Sequence, residues 1–263
     1  MNFFDNKVVV ITGAASGMGR EYALAFAKLN SKLALCDLDE AGLSETVKQV
    51  RQISDTAIHT KLFSVADEAA VYEFANEVSS KLGDANIAIN NAGIEGTGGP
   101  GWMTPSDGFK RVMDVNFYGV VYCSQAFLPQ LVKNKEAALV NVSSVFGMFG
   151  APGSADYCAS KFAVRGYTET LMAELNQSHV QVHLVHPGGI KTNIARKEDT
   201  QLAAAPFLTT PADEIVAYVI KGIRANNPRI VYGNLSTLIR LMVHLLPLKW
   251  RYKLVARMMP TTD

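Results

Sequence analysis

Short runs of consecutive apolar residues alternate along this chain with longer stretches in which apolar positions recur every three or four residues. Val8-Val9-Val10-Ile11 is apolar at every position, the mark of a strand covered on both faces. Residues 32–36, 57–63, 87–89, 137–142, 180–185 and 230–232 read as further strands. Between them, residues 17–29, 40–53, 67–82, 109–133 and 155–176 carry the helical period, with 109–133 either one long helix or two abutting ones. Strand, helix, strand at this cadence implies parallel pairing through right-handed crossovers, with helices on both faces. No internal repeat and no Pro/Gly-rich linker interrupts it, so residues 1–263 are expected to form a single domain.

Composition narrows the function. Hydrophobic residues make up 48% of the chain and charged residues 19%, enough to bury a large core. A net charge of +1 argues against nucleic acid as a partner. The three cysteines, Cys36, Cys123 and Cys158, are odd in number and widely spaced, so neither a disulfide framework nor a metal site is expected. No signal-peptide pattern and no apolar run of ~18 residues is read, which points to the cytoplasm. Asn141-Val142-Ser143 and Asn234-Leu235-Ser236 fit the glycosylation pattern and are taken as chance matches.

Directly after the first strand comes Thr12-Gly13-Ala14-Ala15-Ser16-Gly17-Met18-Gly19. Gly13 permits a tight turn, Gly17 lets backbone approach a pyrophosphate, and Gly19 lets the helix pack close to the strand. The helix start then offers unpaired N–H groups to phosphate. A glycine-rich turn without a ligand is the plainer alternative. Asp37 ends the second strand. A carboxylate there suits the ribose hydroxyls of adenosine and repels a 2′-phosphate, so NAD is expected over NADP. Asp37 can instead cap the next helix, and Arg20 keeps the NADP alternative open.

Together with motifs further along the chain, these elements resemble the short-chain dehydrogenase/reductase family. Thr-Gly-x-x-x-Gly-x-Gly is that family's variant of the dinucleotide fingerprint. Asn90-Asn91-Ala92-Gly93, Asn116 in Asp114-Val115-Asn116, Ser144, Tyr157-Cys158-Ala159-Ser160-Lys161 and Pro187-Gly188-Gly189-Ile190-Lys191-Thr192 match its motifs in order. The resemblance covers about residues 5 to 232. It implies a Rossmann-like doubly wound sheet of seven parallel strands in the order 3-2-1-4-5-6-7. It also implies cofactor contacts from Gly13, Ser16, Gly17, Met18, Gly19, Asp37, Asn91, Ala92, Gly93, Tyr157, Lys161, Pro187, Gly188, Ile190 and Thr192. One position departs from the family: an Asp often found after the third strand is Ser64 here, which leaves adenine to Ser64 and the Val65 backbone.

Tyr157 and Lys161 stand four apart on an expected helix and share a face. A free tyrosine has a pKa near 10. An ammonium ~4 Å away contributes roughly 4 kcal/mol at an effective dielectric of ~20, about 3 pKa units. Lys161 is therefore expected to bring the phenol near neutrality, where it takes a proton from an alcohol or gives one to a ketone. Ser144 is expected to hold the substrate oxygen beside it. By resemblance, Lys161 also holds the nicotinamide ribose, Asn116 a relay water, and Ile190 and Thr192 the carboxamide. His186 and Cys158 are read as packed rather than catalytic.

The substrate side is less defined. By resemblance, residues 193–210 form a lid, and Trp102, Met103, Met148 and Phe149 are candidate walls whose apolar character suggests a hydrophobic alcohol or ketone. The extension 235–263 is rich in Leu, Ile, Val and Met, carries Arg240, His244, Lys249, Arg251, Lys253 and Arg257, and has no acid before Asp263. Packing over the pocket or against a second subunit is the first expectation for it, and peripheral contact with an anionic membrane the second. The reading is an NAD(H)-dependent oxidoreductase acting on small-molecule alcohols, as a homodimer or homotetramer through the long helices. The alternatives are an NADPH-dependent carbonyl reductase and a dinucleotide-binding scaffold without turnover.

Overall fold

The side chains of β1 (Val8–Thr12) divide between two cores: Val9 and Ile11 face one, Val8 and Val10 the other. That division, set by the two-residue period of a strand, makes the sheet a middle layer between two sets of helices. The computed structural model describes residues 3–190 and 208–259. The other strands are β2 (Lys32–Asp37), β3 (Ile58–Leu62), β4 (Ile87–Asn90), β5 (Ala137–Val142), β6 (Val180–Pro187) and β7 (Arg229–Tyr232). They form one seven-stranded sheet in the order β3-β2-β1-β4-β5-β6-β7, parallel at every pairing. The expected topology is the observed one.

The helices are α1 (Gly17–Lys28), α2 (Glu40–Arg51), α3 (Glu68–Leu82), α4 (Ser106–Met113), α5 (Gly119–Leu131), α6 (Ala155–Glu174), α7 (Ala212–Arg224), α8 (Ser236–Leu245) and α9 (Leu248–Met258). One core gathers Tyr22 and Phe26 of α1 with Ile215 and Ile223 of α7; the other gathers Phe74 of α3 with Phe127 of α5. The chain runs outward in one direction from β1 through β2 to β3, then returns to build the other half from β4. Strand order reverses between β1 and β4, and the crevice beyond their carboxyl ends is where ligands bind in such sheets.

Two departures from the expected pattern matter for the site. Residues 109–133 resolve into α4, a π-helical turn at Asp114–Tyr118, and α5. The wider turn carries the fully buried Asn116. Helix α7 is not among the expected helices, although Ile215, Val216, Val219, Ile220 and Ile223 give it a clear buried stripe.

A buried polar chain ties the sheet to the helices on one face. Asn90 Nδ2 donates to Ser124 Oγ at 3.0 Å and to Asn141 Oδ1 at 2.8 Å, and Asn141 Nδ2 donates to Thr168 Oγ1 at 3.0 Å. Asn141 is completely buried, which rules out glycosylation of the folded chain there. Replacing it breaks both of its links and strands polar partners away from water. We expect Asn141→Leu to lower unfolding free energy by about 2–4 kcal/mol in urea titrations; a loss within error of zero counts against the network.

Candidate active site

Gly13 and Gly19 have no room for a side chain. Gly13 and Gly17 adopt φ of +68° and +52°, in the left-handed region. A Cβ on Gly19 falls 1.9 Å from Gly13 O. Ser16 is the N-cap of α1, yet its side chain makes no capping hydrogen bond, so the first-turn amides are not taken up by it. Met18 is buried beneath the turn. Across the crevice, Thr12 Oγ1 accepts from the amides of Asn91 and Ala92, each at 3.0 Å. Asn91 Nδ2 returns a hydrogen bond to Thr12 O at 3.0 Å. The ends of β1 and β4 are thereby locked together, and a glycine turn opening on helix amides that the Ser16 side chain leaves uncapped fits the pyrophosphate of a dinucleotide.

Asp37 faces this loop. Its Oδ2 accepts from Ala15 N at 2.9 Å, and Oδ1 accepts from the amides of Leu38 and Asp39 at 2.7 and 3.0 Å. The N-cap role belongs to Asp39, whose side chain accepts from Gly42 N. Arg20 donates from Nε to Thr46 Oγ1 at 2.9 Å, and from Nη2 to Ala15 O and Gly42 O. It staples α1 to α2. Beyond β3, Ser64 Oγ accepts from Ala66 N, and Val65 packs where a Cβ on Gly119 would collide with it.

The proposed acid/base group sits at the other end of the crevice. Tyr157 and Lys161 share a face of α6, with Lys161 Nζ 5.6 Å from the Tyr157 ring centroid. Both are desolvated. Burial pushes the Tyr157 phenol up to about 12, against a lowering contribution from its hydrogen bond with Ser144. Burial lowers the Lys161 ammonium to about 8. The expected drop of the phenol toward neutrality is therefore absent in the protein alone: the ammonium lies over the ring, and loss of water outweighs attraction.

Lys161 Nζ donates to Val142 O at 3.2 Å. Gly93 brings backbone beside it, since a Cβ there would lie 3.4 Å from Nζ and 3.2 Å from Asn116 Oδ1. Asn116 spends its side chain on the loop after β4: Oδ1 accepts from Ile94 N at 2.8 Å, while Nδ2 donates to Ile94 O and to Ser160 Oγ. Its amide group thus positions that loop.

Two supporting residues had no motif to mark them. Ser143 Oγ donates to Lys161 O at 2.8 Å, tying β5 to α6. His186 Nδ1 lies 2.7 Å from the Ser144 carbonyl oxygen, and burial holds the ring down to about 4, so neutral His186 donates and fixes the backbone of Ser144. His186 and Cys158 are buried, as expected.

On the side expected to meet the nicotinamide, Pro187 ends β6, Gly188 N donates to Tyr232 O at 2.8 Å, and Ile190 packs against the core beside Thr210. A cavity of about 270 Å³ lies here, lined by Thr210, Glu214, Tyr232, Gly233, Ser236 and Thr237; it does not include the Tyr157 group. Thr192 and nearly all of the expected lid lie outside the described residues. Of the candidate walls, Met148 and Phe149 are buried, whereas Trp102 and Met103 stand out in solvent. Phe146 meets the Tyr157 ring edge-on, with centroids 6.1 Å apart.

A family model for short chain dehydrogenases matches residues 7–203. The SadH protein of Mycobacterium tuberculosis is 39% identical over 245 residues, spanning 89% of this chain and 88% of that one. Human epidermal retinol dehydrogenase 2 is 39% identical over 191 residues, 72% of this chain and 62% of its own length. A short chain dehydrogenase/reductase from Burkholderia phymatum, solved in complex with NAD, is 30% identical with a TM-score of 0.85, covering 100% of this chain and 99% of its own.

The buried lysine generates a stability prediction. Its pKa of about 8 in the fold, against 10.5 ordinarily, means the unfolded chain binds more protons between those values, so stability rises with pH there. Lys161→Met removes the penalty. The variant should be more stable than the parent by up to about 3 kcal/mol below pH 8, with the difference shrinking through the window up to 10.5. Thermal melts at several pH values measure this; a destabilised variant at neutral pH contradicts it.

Proposed function

The chain belongs to the short-chain dehydrogenase family, and from that premise we propose that it is an NAD(H)-dependent oxidoreductase interconverting a hydrophobic secondary alcohol and its carbonyl compound. The family is one of oxidoreductases that bind NAD(P). One observation carries the reading: Tyr157, Ser144 and Lys161 converge at the carboxyl end of β5, in the same crevice as a glycine cradle with no space for a Cβ.

Gly13, Ser16, Gly17, Met18 and Gly19 would hold the pyrophosphate, and Asp37 the adenosine ribose. Ser64 and Val65 would border the adenine, with Asn91, Ala92 and Gly93 backing the cofactor. Pro187, Gly188, Ile190 and Thr192 would hold the nicotinamide end. The bound nicotinamide supplies the hydride-transfer chemistry. Ser144 holds the substrate oxygen against Tyr157. Tyr157 removes the hydroxyl proton in oxidation and returns one to the carbonyl oxygen in reduction. Lys161 stabilises the phenolate electrostatically, and a positive charge introduced beside the ring acts in the same direction. Asn116 anchors the loop that closes this corner.

NAD is favoured by Asp37 and by the state of Arg20, whose guanidinium already serves two carbonyls and Thr46. That commitment weighs against the NADPH-dependent carbonyl reductase. The NAD in the Burkholderia phymatum structure supports the same choice. The retinol dehydrogenase relative and the Phe146 ring beside Tyr157 support a lipophilic substrate. Exposed Tyr118 and Phe162, on the π-helical turn and α6, support a homodimer or homotetramer through this pair of helices.

Tyr157→Phe should lower kcat by about a hundred- to ten-thousandfold while leaving the NADH Kd nearly unchanged; equal turnover ends the acid/base assignment, and loss of both turnover and NADH binding points to misfolding. Because Tyr157 must lose a proton to act as base, alcohol oxidation should accelerate as pH rises, and carbonyl reduction should slow. NADPH should bind more weakly than NADH by roughly five- to a thousandfold, the range spanned by one close like-charge contact. Equal or tighter NADPH binding in titration overturns the role given to Asp37.

A further inference from the structure

The segment after β7 leaves two helices with faces that the other described residues do not cover. Val255 is buried with Val145, Phe149, Ala151 and Cys158, and Ile239, Met242, Val243 and Met259 pack against the same cluster. The inner side of α8 and α9 therefore lies on the loop after Ser144. The outer side is different. On α8, Leu238, Leu241 and Leu245 fall on one arc and are exposed, Leu245 by 73%.

At 100° per residue, α9 divides into four stripes, one of them the exposed Leu248, Tyr252 and Ala256. Arg251, Val255 and Met259 form the inward one. Trp250, Leu254 and Met258 form an exposed apolar one, with Trp250 exposed by 64%. Lys249, Lys253 and Arg257 form an exposed basic stripe directly beside it. Within the segment itself no carboxylate offsets these cations: no Asp or Glu occurs from residue 215 to 259.

We propose that the outer face of α8 and α9 docks on the surface of an anionic lipid bilayer, with the apolar stripes in the acyl boundary and the basic stripe at the headgroups. The charge pattern selects this occupant. A second copy meeting this face about a two-fold axis places cations against cations with no carboxylate between them. A bilayer offers the opposite sign and an apolar layer at the depth of one side chain. Trp250 is of an aromatic type that settles at such a boundary. The helices lie in the plane: at 10 and 11 residues they are about 15 Å long, against the ~30 Å needed to span. No helix among the described residues is long and apolar enough to cross a membrane.

The test uses the full chain with vesicles of phosphatidylcholine alone and of phosphatidylcholine mixed with phosphatidylglycerol. The parent should co-sediment with the mixed vesicles and little with the neutral ones, and added salt should weaken the binding. The triple variant Lys249→Gln, Lys253→Gln, Arg257→Gln should bind about a hundredfold more weakly, each cation near the surface being worth about fivefold. The double variant Leu245→Ser, Trp250→Ser should lose binding to mixed vesicles as well. Both should keep the parent's melting temperature and NADH affinity, which separates loss of docking from loss of fold. Equal sedimentation of parent and triple variant, equal binding to both vesicle types, or no binding to either overturns the proposal. So does a parent that binds no vesicles and is dimeric in sedimentation equilibrium but monomeric as Leu245→Ser, Trp250→Ser, which assigns the face to a second copy.

Discussion

An ammonium withdrawn from water beside a backbone carbonyl is the constraint around which this molecule is arranged. Lys161 is 2% exposed and donates to Val142 O. A charge in that position is stabilised only where the surrounding backbone is fixed, because each dipole near it must point correctly before the charge is present. The structure provides that rigidity from several directions. Ser143 holds the Lys161 carbonyl, and Gly147 lets the turn after β5 press against α6, where a Cβ would sit 2.7 Å from the same oxygen. His186, neutral and buried, holds the carbonyl of the next serine. The lysine is a local loss of stability accepted for the sake of chemistry, a pattern common at functional sites.

The parallel sheet explains how distant residues reach one place. Each strand enters from the same end, so Thr12, Asn90, Val142 and Pro187, the last residues of β1, β4, β5 and β6, all arrive at one edge. Strand interiors are apolar, and polarity concentrates at the ends, where the cradle and the Tyr157 group face a common crevice. Asn141 and His183 carry polarity into the sheet interior, Asn141 bonded to Asn90 and Thr168 and His183 to the Asn227 carbonyl.

Much of this is readable from residues alone, for a physical reason in each case. Buried parallel strands are apolar at every position, and a glycine triplet between strand and helix has few other uses. Helical spacing marks Tyr157 and Lys161, but spacing gives a shared face and not the angle of approach. The ammonium lies over the ring, and burial, which no motif encodes, reverses the direction of the phenol's shift. Asp37 and Asp39 are both plausible caps in sequence; backbone geometry gives the cap to Asp39 and the loop amide to Asp37. Ser143 and His186 act through backbone carbonyls, which leave no trace in residue spacing. Helix α7 is legible in its apolar stripe, but the mixed, alanine-rich stretch before it obscures where it starts.

The π-helical turn at Asp114–Tyr118 inserts one residue beyond what a regular helix accommodates, and Asn116 lies inside it. Helix α5 presents Val120, Cys123, Phe127 and Leu131 to the interior at a fixed phase, while α4 before it buries Val112 alone. Chain length at this point is thus a counted quantity. Removing a single residue closes the wide turn to a regular helical one, so the flanking segments keep their phase while residues inside the turn shift by about 100° around the axis. The core would claim its own register, and the asparagine would swing off the loop it anchors. A variant altered here in length rather than in side chain keeps every recognisable motif and still loses the alignment between them.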